Sequence, residues 1–119
     1  RQWTQQYEWN AHYQLAMSAG LNPNIGKAIA EGRRPEHMGE DEETLYDLCL
    51  ELQRNQSVSD ATYARAVTRF GEKGVIDTVS LTGYYTMIAM VLNTARSPLP
   101  TGVTPALERP RDRGRKPPL

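Results

Sequence analysis

The sequence predicts an all-α fold in a single domain. Three observations carry this. Apolar residues recur at three- and four-residue spacing, as in Leu45, Leu48, Cys49 and Leu52. Helix-starting and helix-stopping residues punctuate the chain at Gly20, Asn22-Pro23, Gly32, Ser59 and Gly71. No stretch alternates apolar and polar residues between hairpin turns. A chain of 119 residues has room for one domain with a small core.

Five helices follow in order. "RQWTQQYEWNAHYQLAMSAG" reads as the first, running from Arg1 without a cap, with Trp3 and Tyr7 on its apolar stripe and Gly20 as terminator. Asn22 caps the second, "NPNIGKAIAEG", with Pro23 at its first position. "EDEETLYDLCLELQRN" is the third. Its acidic residues crowd the first turn and Arg54 lies in the last, as the helix dipole favours. The fourth, "SDATYARAVTRFG", is capped by Ser59, buries Tyr63, Ala66, Val67 and Phe70, and stops at Gly71.

The fifth, "EKGVIDTVSLTGYYTMIAMVLNTAR", is apolar nearly all round from Val79 to Leu92, so burial on most sides is expected. A domain this small cannot wrap it alone, and a homo-oligomer interface is the economical explanation. Gly83 in its middle costs about 1 kcal/mol against alanine, which points to close helix approach. The run contains Ser80, Thr82, Gly83 and Thr86, too polar and short for a membrane span.

The helical body is expected over 1–96, with an arm over 97–119 that holds six of the eight prolines. Such an arm lies extended on a neighbour or is disordered. Net charge is zero, but five basic and two acidic residues make the arm +3 and leave the body −3. Two acids interrupt the basic run "ERPRDRGRKPPL" and no aromatic offers stacking, so nucleic acid is not expected as a partner. The single cysteine, Cys49, excludes an intramolecular disulfide, and "RQWTQQYEW" has no apolar signal core. A soluble, cytoplasmic protein is expected.

Chemistry concentrates in "YEWNAH". Glu8 and His12 are four apart, hence on one helix face. Histidine oriented by a carboxylate is the usual means of moving a proton near neutral pH; the alternative is an ordinary surface pair. His37 lies in a loop beside Arg33 and Arg34 and is expected to be solvated. Two histidines so far apart give no metal-ligand spacing. No glycine-rich phosphate loop is present. Neither a metal nor any other cofactor is expected.

These features, from "YEWNAH" and "AGL" through the acidic third helix to "VSDATYARAVTRFGEKGVIDTVSLTGYYTMIAMVLNTARSPLP", resemble the carboxymuconolactone decarboxylase family, which includes the alkylhydroperoxidase D group. The resemblance spans roughly Trp3 to Pro100. It implies a helical bundle assembled as a trimer or hexamer, with sites near subunit contacts. It also implies helices ahead of Arg1, either truncated here or supplied by another segment or chain.

Peroxidase members carry Cys-x-x-Cys four residues before a histidine. The matching positions here are Gln5 and Glu8, so the thiolate nucleophile of that chemistry is missing. Cys49 is expected to be structural. The expected function is therefore a cofactor-free lyase or proton-transfer enzyme on a small carboxylated or lactone substrate. His12 would be the acid–base, Glu8 its partner, and Tyr7, Trp9, Tyr84 and Tyr85 the substrate-binding side chains. The competing expectation is a catalytically silent oligomeric scaffold.

Overall fold

The computed structural model describes residues 1–108 and is all-helical there, with no strand among the described residues. Four helices follow one another: α1 (Gln6–Ser18), α2 (Pro23–Ala30), α3 (Glu40–Asn55) and α4 (Asp60–Ala95).

Helix α1 starts five residues later than the sequence suggests. Gln5 is its N-cap, and its side chain accepts a hydrogen bond from the Glu8 backbone N–H at 3.0 Å. Glutamine is a rare cap, which is why the start is invisible by pattern. Trp3 and Tyr7 are exposed and α1 buries no residue fully, so the apolar stripe expected on it does not form. Beyond its end Gly20 has φ +91°, and Leu21 N–H donates back to Ala16 O. That closure requires a left-handed residue, which glycine adopts freely.

Helix α2 is capped as expected by Asn22, whose side chain accepts from Asn24 N–H at 3.0 Å. Ile25, Gly26 and Ala28 are buried. Gly26 permits close approach: a Cβ there would meet the Tyr13 ring at 2.7 Å. In α3 the four acidic residues of the first turn stand as anticipated, and Glu42 closes back onto the Gly39 N–H at 2.8 Å.

The helices expected on either side of Gly71 follow one another directly within α4 and are parted at Gly71, where the dihedrals are non-helical at φ 70° and ψ 169°. Its main partner is α3. The core between them is Leu48, Ala66 and Val75, flanked by Val58, Val67 and Val79. Two polar contacts continue the seam: Cys49 Sγ lies 3.5 Å from Thr82 Oγ1, and Gln53 Nε2 donates to Thr86 Oγ1 at 2.5 Å. Cys49 is half-buried. Tyr63, placed by sequence on the buried face, is exposed. Outside this seam Asp47 receives Arg34 and Arg65, while Arg69 reaches Glu40 and Asp41.

The second half of α4 is not wrapped by its own chain. Ile76, Leu81, Tyr84, Met87 and Val91 are each half-exposed or more. Gly83 has nothing within 4 Å of a Cβ placed on it, so close helix approach within the chain is ruled out. By length and composition alone, α4 is long and apolar enough to cross a membrane.

The arm lies back on its own chain as far as Glu108, rather than only on a neighbour. Gln6 clasps Leu107, donating to its carbonyl at 2.6 Å and accepting from its N–H at 3.0 Å, and Leu107 is buried. Arg109 to Leu119, with most of the basic run, lie outside the described residues.

Candidate functional site

Helix α1 crosses the C-terminal half of α4, and a cleft of about 380 Å³ opens between them. On the α1 side it is lined by Tyr7, Glu8, Ala11 and His12, and on the α4 side by Tyr84, Tyr85, Ile88 and Leu92. The spacing explains the convergence. Residues 8 and 12 lie one turn apart on α1, as do 84 and 88 or 85 and 92 within two turns of α4. The volume is at the small end of the range for small-molecule sites.

Five of the six side chains proposed from sequence meet in this cleft. The His12 imidazole sits edge-on to the Tyr85 ring, centroids 4.8 Å apart at 76°. Tyr85 in turn stands edge-on to Tyr84 at 5.3 Å. Adjacent residues on a helix point in different directions, yet both tyrosines line the cleft because it wraps that edge of α4. Trp9 is the exception. It stacks on Tyr13 at 5.4 Å and lines a second cleft on another side of α1.

Glu8 is the electrostatically unusual member. Its Oε1 is buried and has no hydrogen-bond partner. Burial raises its carboxyl pKa above the ordinary glutamate value, and the attraction of His12 opposes that only in part. His12 itself is exposed at the rim. A carboxyl held above its ordinary pKa beside an accessible imidazole can exchange protons with a small molecule between them. Among the described residues no lysine or arginine lines the cleft, and His12 is the one basic side chain on it.

His37 lies away from this cleft, exposed, at φ 55°. Its neighbours Arg33 and Arg34 are engaged by Glu31 and by Glu43 and Asp47. Cys49 is in the α3–α4 seam and does not line the cleft. Among the described residues no group of three or more His, Cys, Asp or Glu side chains converges as metal donors.

Sequence reasoning missed the cleft walls Ile88 and Leu92 and the clamp that positions α1. Asn93 Nδ2 donates to Trp3 O at 3.1 Å, and Gln5 Nε2 donates to Asn93 Oδ1 at 3.4 Å. These two walls follow one turn after Tyr84 and Ile88, a spacing that flags them; the Gln5 and Asn93 contacts leave no signal in a single sequence. No family model, no curated protein and no solved structure matches the chain.

Proposed function

We propose that the chain is a carboxymuconolactone decarboxylase-like protein without redox cysteines, acting as a cofactor-free proton-transfer enzyme on a small carboxylated or lactone substrate. The observation that carries this is the convergence of Glu8, with its unpartnered buried oxygen, and His12 on one cleft walled by Tyr84 and Tyr85. In decarboxylation the carbon–carbon bond to the carboxylate breaks and its electron pair stays on the ring carbon. Carbon dioxide leaves, and that carbon takes a proton from the His12 imidazolium. Water then restores the proton to His12. Glu8 holds the imidazole's charge and supplies a second proton store. The tyrosine rings and Leu92 form one wall of the cleft.

The test is turnover on a panel of lactone acids by the intact chain and by His12→Ala, with circular dichroism of both. The expected loss is roughly 10²–10⁴-fold at unchanged helicity, the range for a general acid–base group. Unchanged turnover, or no turnover in the parent, removes the enzyme.

A second reading is favoured by a separate observation, the half-exposed apolar side chains of α4. It is an oligomeric scaffold of the same family, trimeric or hexameric, in which this face packs copy against copy. Exposed apolar surface of this kind marks an interface. Sedimentation showing a stable monomer at micromolar concentration sinks it.

A further inference from the structure

We infer that the second cleft, between α1, α2 and the arm, is a separate binding site for a small ring-bearing carboxylate. It is larger than the Glu8–His12 cleft, about 540 Å³, and lies within the usual range for small ligands. Its apolar wall is the stacked pair Trp9 and Tyr13, both half-buried. A flat or cyclic ligand gains area against such rings at little entropic cost, because each ring has only two torsions to fix.

The polar groups are complementary to an anion. Lys27 of α2 lines the cleft opposite the rings, with the amides of Asn10 and Gln14 beside them on α1. Glu31, one turn after Lys27 and its natural partner, is taken instead by Arg33, at 2.5 Å. Among the described residues no carboxylate lines the cleft, so the ammonium is met there only by neutral groups. A lone cation beside an apolar ring wall and amide donors selects a carboxylate attached to a ring over a neutral ring.

Two features hold the site open and in shape. Gly26 lets the Tyr13 ring lie against α2, since a Cβ there would come within 2.7 Å of it. The arm forms the remaining wall through Leu99, Thr104 and Ala106, and the Gln6 clasp on Leu107 fixes it.

The experiment is a titration of the full chain with benzoate, followed by amide chemical shifts, with benzyl alcohol as the uncharged ring of like size. Benzoate is expected to give saturable shifts at the Asn10 and Gln14 side-chain amides and at Lys27. Lys27→Met, which keeps the stem and removes the charge, should weaken benzoate roughly tenfold. Benzyl alcohol should bind at least as weakly to the parent and be indifferent to that substitution. His12→Ala should leave the benzoate affinity unchanged, so the result is independent of the acid–base reading. Shifts centred on His12 and Tyr85, equal binding of the two probes, or no saturation at millimolar benzoate would each overturn the site.

Discussion

Gln5 and Asn93 join the N-cap of α1 to the last turn of α4, with Gln5 Nε2 donating to Asn93 Oδ1 at 3.4 Å. Asn93 also donates to the Trp3 carbonyl at 3.1 Å. One amide thus holds both the cap residue and the segment before it. This clamp fixes how α1 lies over Tyr84 and Tyr85, because α1 contributes no fully buried side chain of its own.

Asn93→Ala should therefore loosen α1 more than it unfolds the protein. Each lost hydrogen bond is worth about 1 kcal/mol, and Asn93 is exposed, so the total cost in global stability should stay near 1–2 kcal/mol. Amide exchange should accelerate in α1 while α3 stays protected. Equal acceleration in α1 and α3 would show that the clamp supports the core rather than the cleft.

Glu8→Gln tests the cleft through pH. Burial raises the Glu8 carboxyl in the folded state above its ordinary 4.5. The folded protein therefore binds more protons than the unfolded chain between that value and the raised one. Its stability falls as pH rises through this window, and the contribution is fully present only below it. Glutamine keeps the shape without the charge. The variant should melt higher than the parent at neutral pH, and the gap should close below about 4.5. A gap that persists in acid would mean that Glu8 is not the group being titrated.

The all-α class, the caps Asn22 and Ser59 and the acidic first turn of α3 were legible because each is a local rule written in one or two residues. Helical spacing likewise put Glu8 and His12 on one face of α1, and both line the cleft. What was not legible depends on contacts far apart in sequence. Gln5 caps α1 and Gln6 clasps Leu107, two roles that glutamine shows no preference for. Gln56 and Arg96 end their helices in left-handed geometry, at positions where glycine is the usual signal. Trp9 sits one residue from Glu8, and that single step of about 100° around α1 sends it to the other cleft.

Leu48 anchors the α3–α4 core at 1% exposure. Leu48→Ala should cost about 2–5 kcal/mol, the range for a fully buried leucine. Cys49 is next to it but half-buried, its Sγ against Thr82 Oγ1. Cys49→Ser keeps a hydrogen-bonding group of similar size there and should cost about 1 kcal/mol or less without affecting turnover. Denaturant unfolding of the two variants checks the ranking; a cysteine variant as damaged as the leucine variant would place the core elsewhere on α3.

Gly71 and Gly83 both lie within α4 and should respond to alanine with opposite signs. At Gly71 the backbone holds φ 70° and ψ 169°, a region that only glycine enters readily. A Cβ there meets nothing within 4 Å, so the cost of Gly71→Ala is conformational strain, about 1–3 kcal/mol, and not a clash. Gly83 lies in regular helix and is also open to solvent. Gly83→Ala should therefore stabilise the single chain by about 1 kcal/mol. The same methyl projects from the half of α4 whose Leu81, Tyr84 and Met87 are exposed. If copies pack there with backbones in close approach, Gly83→Ala weakens association while strengthening the helix. The expected result is a higher melting temperature at low protein concentration together with a weaker self-association constant in sedimentation. A higher melting temperature with unchanged association would place Gly83 outside any interface and leave the glycine as a cost the fold does not use.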